Sequence, residues 1–195
     1  MEWQEVGRAA RGVRSPVDAP IVRQTYTESG TDPLPEGVVE VQQRVWPDDS
    51  GGSFKEVTRL DAQGVIETAA LRERGIALKP AQLNVSVVAP GARRFWHVHP
   101  SQNELWTISY GQLNAGVIDC RDGSASYGKR ARVILTPHTA LYIPAGVAHG
   151  FANESGTVAV LHYLVDTQFT RGDDTQEWRI NPEKLPFDFV LAEQM

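Results

Sequence analysis

Stretches in which apolar and polar residues alternate recur along this chain, and they predict strands. Gln82-Leu83-Asn84-Val85-Ser86-Val87 alternates strictly. Leu83, Val85 and Val87 fall on one face; Gln82, Asn84 and Ser86 fall on the other. The polar face lines either a polar cavity or an outer surface in solvent. Phe95, Trp96 and Val98, and then Leu105 to Tyr110, are β-formers and predict two further strands, with Trp96 as a packing residue. Val38 to Trp46 alternates more loosely and reads as the first strand, closed by a turn over Pro47 to Ser53. In the apolar run TVAVLHYLVD, adjacent His162 and Tyr163 must face opposite sides of a strand. Glu177 to Ile180 reads as a short edge strand. Residues 1–36 are polar and broken by Pro16, Pro20, Pro33 and Pro35, which predicts an extended N-terminal arm ahead of one domain over 37–195.

Candidate chemistry sits on these strands. His97 and His99 are two residues apart, so a strand projects both to one face. The turn-rich Pro100-Ser101-Gln102-Asn103 follows, after which Glu104 opens the next strand toward the same cavity. His149 arrives from another strand behind a Pro144-Ala145-Gly146 turn. Three neutral imidazoles and one carboxylate form a nitrogen–oxygen donor set suited to one divalent ion, such as Fe, Mn, Ni, Cu or Zn. The set takes three of the five histidines in the chain.

Composition narrows the function classes. A chain of 195 residues can bury one sizeable core. A net charge of −5 without a Lys/Arg run argues against nucleic acid and anionic membrane surfaces. No apolar run approaches the length of a membrane span, and MEWQEVGRAARGVRS lacks the apolar centre of a signal peptide. The lone Cys120 cannot form an internal disulfide, which accords with a cytoplasmic protein.

The two histidine stretches resemble the paired motifs of the cupin superfamily. The first, GARRFWHVHPSQNELWTISYG, matches at every fixed position: Gly91, His97, His99, Glu104 and Gly111. The second matches at Pro144, Gly146, His149 and Asn153, with His138 in place of its leading glycine. The fold this implies is all-β: a double-stranded β-helix, or jelly-roll barrel, with a metal in its mouth.

A narrower resemblance covers about residues 38–189. QLNVSVVAPGARRFWHVH is similar to a stretch of the dTDP-4-dehydrorhamnose 3,5-epimerases through Gln82, Asn84, Ser86, Gly91, Arg94 and His97. Asp49, Gly52, Phe54 and Glu56 match part of an earlier signature of that family. SASYGKR, LYIPAGVAHGF and NPEKLPFDF resemble three later ones.

The resemblance implies a His base at His97, a Tyr acid at Tyr163 and a diphosphate-gripping Arg at Arg94. It places Phe54, Glu56, Gln82 and Asn84 with the substrate. It also implies a homodimer and a small-molecule substrate, a sugar or nucleotide sugar. Three positions depart from the family. Its enolate-stabilising Lys is Glu104, the Arg of its D-x-R-G signature is Gly51, and no equivalent of its orienting Asp is evident after NPEKLPFDF.

Exchanging Lys for Glu104 and adding His99 converts an organic acid–base pocket into one that attracts a cation. An ion held through His97 would occupy that lone pair and make His97 a ligand rather than a base. The expected function is therefore metal-assisted epimerisation or isomerisation of a keto sugar. The alternatives are a non-haem metal dioxygenase and a cupin that binds a small ligand without turnover.

Overall fold

The computed structural model describes residues 25–26, 34–170 and 177–181. Most of the predicted arm over 1–36, the Asp173-Asp174 loop and the part of NPEKLPFDF beyond Asn181 lie outside the described residues. In chain order the strands begin with β1 (Thr25–Tyr26), β2 (Val39–Gln42), β3 (Val45–Pro47), β4 (Ser53–Lys55), β5 (Gln82–Val88) and β6 (Arg93–Val98). They continue with β7 (Glu104–Tyr110), β8 (Leu113–Asp119), β9 (Arg130–Leu135), β10 (Thr139–Ile143), β11 (Val147–Ala152), β12 (Ala159–Val165) and β13 (Trp178–Arg179). One helical turn, α1 (Ala69–Arg72), is capped by Thr68, whose hydroxyl accepts from the Leu71 amide.

Two sheets face one another. One has the order β1-β9-β8-β11-β6-β13, the other β2-β10-β7-β12-β5; β3 and β4 form a separate hairpin. The main core lies between the sheets. Ile108, Leu141 and Leu161 meet Leu113, Val117, Val133 and Phe151 there. Each such side chain contributes about 1.5–3 kcal/mol on burial. The outer face of the five-stranded sheet is covered by Ile66, Leu71 and Leu78, which pack on Val41, Leu105 and Tyr142. On the outer face of the other sheet, Trp96, Val98 and Ala148 pack with Ile180. This is the all-β jelly roll expected from the motifs.

The predicted first strand divides. Val38 to Trp46 breaks at Gln43, whose amide donates to the His138 carbonyl, so β2 joins the five-stranded sheet and β3 turns into the hairpin with β4. On β12, Tyr163 faces inward and His162 outward, where its Nε2 lies 2.8 Å from Ser109 Oγ. The β5 alternation is resolved in an inverted sense. Its polar residues Gln82 and Asn84 face the interior cavity, while Leu83, Val85 and Val87 are 59%, 55% and 74% exposed.

Two glycines permit the tight geometry. At Gly111, φ is +76° and a Cβ would lie 2.3 Å from the Val158 carbonyl oxygen, so only glycine allows the β7–β8 turn to sit against β12. At Gly150 a Cβ would lie 2.5 Å from Phe95 Cβ, because β11 and β6 approach closely at a register shift between His149 and Phe151.

Candidate active site

The open end of the interior is a cavity of about 260 Å³. The six-stranded sheet supplies His97 from β6 and His149 from β11, directly opposite each other across the ladder. The five-stranded sheet supplies Glu104 from β7, Tyr163 from β12 and Asn84 from β5; Tyr163 pairs with Trp106 on one side and Asn84 on the other. His99 lies just past the end of β6.

The turn before Glu104 is held rigidly. The Asn103 amide and side chain donate to Asp166 at 2.9 and 2.6 Å, while its own Oδ1 accepts from the Ala145 amide at 2.9 Å. Glu104 is 3% exposed. Its Oε2 accepts from Trp106 Nε1 at 2.5 Å and its Oε1 from Gln102 Nε2 at 2.7 Å. His99 Nε2 lies 3.2 Å from the same Oε1, and His149 Nε2 lies 3.7 Å from it. Burial by itself pushes the Glu104 carboxyl up. The adjacent imidazoles of His149 and His99 and the bonds from Trp106 and Gln102 outweigh it, holding the group below its ordinary value.

His149 is the most buried imidazole. Its Nδ1 donates to the Val147 carbonyl at 3.0 Å, which leaves the lone pair on Nε2. Burial lowers its pKa to about 4 in spite of the carboxylate beside it, so it is neutral at neutral pH. A neutral imidazole lone pair thus lies near a carboxylate oxygen in a dry corner, an arrangement that a cation stabilises. One ligand atom from each of His99, Glu104 and His149 lies within 4.8 Å of the others. Two imidazoles, a carboxylate and a backbone-fixed tautomer fit a divalent ion.

His97 departs from the four-ligand expectation. It lines the cavity but falls outside this three-residue cluster, and Glu177, just ahead of β13, lies beside it instead. Arg179 of β13 is the cross-strand partner of His97, and Glu177 Oε2 lies 3.2 Å from His97 Nδ1. Burial raises the Glu177 carboxyl, but the bonds and charges of His97 and Arg179 prevail and bring it down to about 2. In the sequence Glu177 marks only the start of a short edge strand, and no local pattern marks it as a partner of a residue 80 positions earlier.

The other predicted residues divide. Gln82, Asn84, Arg94 and Tyr163 all line the cavity. Gln82 donates to Asn84 Oδ1 at 2.7 Å, and Tyr163 Oη lies 3.5 Å from Ser86 Oγ. The Arg94 guanidinium lies over the Phe151 ring at 5.8 Å. Phe54 and Glu56 do not line the cavity. Phe54 sits on the β3–β4 hairpin against Trp46, with ring centroids 5.6 Å apart, and Glu56 pairs with Arg59 at 2.8 Å. Gln102 and Trp106, which hold Glu104, were not anticipated; both lie within two residues of it.

Two facing antiparallel sheets around an imidazole-lined mouth define a cupin-like jelly roll. The family model for dTDP-4-dehydrorhamnose 3,5-epimerase matches residues 35–193, and the chain belongs to that family. It is 33% identical over 107 residues to the dTDP-4-dehydrorhamnose 3,5-epimerase of Streptomyces griseus, an alignment covering 53% of each protein. The chain spans about half the length of the curated relatives it matches.

Among solved structures, it resembles a 4-keto-6-deoxy sugar epimerase from the novobiocin biosynthetic gene cluster of Streptomyces spheroides. That match has a TM-score of 0.67 and 28% identity, covering 82% of this chain and 78% of that one. A dTDP-6-deoxy-D-glucose-3,5-epimerase from Legionella pneumophila, solved with dTDP-4-keto-L-rhamnose, matches with a TM-score of 0.64 and 25% identity, covering 80% of each chain. Among the described residues, no helix is long and apolar enough to cross a membrane.

Proposed function

We propose that this chain epimerises a nucleotide-linked keto sugar by moving a proton at a carbon next to the carbonyl, with a divalent ion held by His99, Glu104 and His149. The observation that carries the reading is that His97 and Tyr163 reach one cavity from opposite sheets. Inverting a stereocentre needs removal of a proton from one face of the ring and return of a proton to the other. His97 takes the proton, and the C–H electron pair moves onto the carbonyl oxygen as an enolate. The Tyr163 hydroxyl supplies the replacement proton from the far face. Arg94, with a fixed planar guanidinium at the cavity wall, suits a diphosphate.

His99, Glu104 and His149 would hold the ion, which would supply the positive charge for the enolate that the family resemblance assigns to a Lys. Glu104 stands in place of that Lys, which is what supports an ion in this chain. The reading includes a homodimer, supported by the exposed Leu83, Val85 and Val87 of edge strand β5, and a cytoplasmic location, in keeping with the buried free thiol of Cys120.

The test is to incubate the protein with a dTDP-linked 4-keto-6-deoxy sugar in D₂O and follow the ring carbons by NMR. Deuterium entering next to the carbonyl, and failing to enter with His97→Asn, is the expected result. Saturable binding with no deuterium under any of Fe, Mn, Ni or Zn would make the chain a binding module instead. The two-histidine, one-carboxylate donor set also favours a second reading, non-haem iron oxygen chemistry. Oxygen uptake by iron-loaded protein, in proportion to an organic substrate consumed, would select it.

A further inference from the structure

We infer that Glu177 is the residue that positions His97 for proton abstraction, holding its ring in the tautomer that leaves Nε2 free. The inference rests on the epimerase reading above for its kinetic part only. Glu177 lies immediately before β13, two residues from Arg179, and the two side chains meet. The strand is locked to β6 by the pairs Trp178↔Val98 and Arg179↔His97, and the Ile180 amide donates to the Trp96 carbonyl at 3.2 Å. The Glu177 carboxylate is gripped at both ends. Oε1 accepts from Arg179 Nε at 2.7 Å, and Oε2 faces His97 Nδ1 at 3.2 Å.

An ionised carboxylate 3.2 Å from Nδ1 can only accept, so it favours the tautomer with the hydrogen on Nδ1. The lone pair then belongs to Nε2, and Nε2 is the atom that can receive a proton from carbon. The anion beside the ring also stabilises the imidazolium formed in that step. The carboxyl is well suited to this, since His97 and Arg179 bring it down to about 2 and keep it ionised throughout. The family resemblance implies an orienting Asp downstream of this strand. Here the described residues place Glu177, just ahead of β13, beside the base. Arg179 holds the other oxygen of that carboxylate.

The same geometry separates the two carboxylates of the cavity. Glu104 gathers two imidazoles and two neutral donors, a donor set for a cation. Glu177 takes one imidazole and one guanidinium, a set that orients a base. Neither can replace the other, because Glu104 opens β7 of the five-stranded sheet and Glu177 leads into β13 of the six-stranded one.

Two measurements test this. The first uses wild-type protein without substrate. Nitrogen-15 imidazole spectra, with His97 assigned by difference from His97→Asn, should show the Nδ1–H tautomer in the wild type and its loss in Glu177→Gln. A wild-type ring protonated on Nε2 alone would overturn the inference whatever the protein catalyses. The second uses the deuterium-exchange assay. Glu177→Gln should lower kcat about 100-fold with KM changed less than about threefold, the pattern of an interaction that matters mainly in the transition state. Glu177→Asp, which keeps the charge, should recover part of the loss. Full activity in Glu177→Gln, or a raised KM with unchanged kcat, would overturn it. Wild-type protein with no exchange would sink the epimerase reading alone, leaving the spectra to decide the role of Glu177.

Discussion

Two carboxylate–imidazole partnerships share one cavity and differ in almost every physical respect. Glu104 is 3% exposed and receives two hydrogen bonds besides its two histidines. Glu177 keeps 28% of its side chain exposed and serves one histidine and one arginine. The residue types are the same. The number of partners and the access of water decide that one pair gathers around a cation and the other aims a base. The HxH motif hides this difference, since it treats His97 and His99 as equals.

The largest effect on that contrast should come from Glu104→Ala. It orphans Trp106 Nε1 and Gln102 Nε2 and leaves two imidazoles without their anion, so a loss of about 3 kcal/mol is expected by urea unfolding. Elemental analysis of tag-free protein should show metal in the wild type and none in this variant. Equal metal content in both would remove the ion from the mechanism. The His97–Glu177 pair should be untouched, with its tautomer spectrum unchanged.

Gly150→Ala should act on both partnerships at once. The new Cβ meets Phe95 Cβ at 2.5 Å and the Arg94 carbonyl oxygen at 2.7 Å, so β11 must move away from β6. About 2 kcal/mol of stability should be lost, and His149 and His97 should separate. A melting temperature equal to the wild type's would refute the close approach of these strands.

The smallest effect should be seen in acid, in separate pH windows, in chelator-treated protein. The pKa of folded His149 lies at about 4, below its ordinary 6.5, so on acidification the unfolded chain binds a proton first. The stability from this group is full above 6.5 and lost as pH falls toward 4. The pKa of folded Glu177 lies at about 2, against an ordinary 4.5, so its contribution is full above 4.5 and lost as pH falls through 2. Both slopes have the same sign, and stability decreases with acid in each window. Glu177→Gln should make only the lower slope shallower in a pH series of unfolding curves, the rest of it coming from carboxylates such as Glu104 and Asp119 that the fold also lowers. Flattening of the upper one instead would mean the two sites are not independent.

Much of this was legible along the chain. Period-two alternation placed the strand at Gln82, β-forming residues placed the one from Leu105, and a two-residue period set His162 and Tyr163 on opposed faces. The spacing of His97, His99, Glu104 and His149 brought attention to one end of one barrel. Reading β5 by hydrophobicity alone would have buried Leu83, Val85 and Val87. In the fold Gln82 and Asn84 face in, because the barrel mouth is a polar cavity rather than a core.

Local chemistry, then, determined the strands, the turns and the inventory of reactive groups, because alternation and turn propensity act over a few residues. The tertiary structure decided which carboxylate each imidazole received. It removed Phe54 and Glu56 from the cavity and delivered Glu177 to His97. Those outcomes depend on ladder register between segments far apart in sequence, and a register is set by the packing of whole sheets, which no short window of sequence contains.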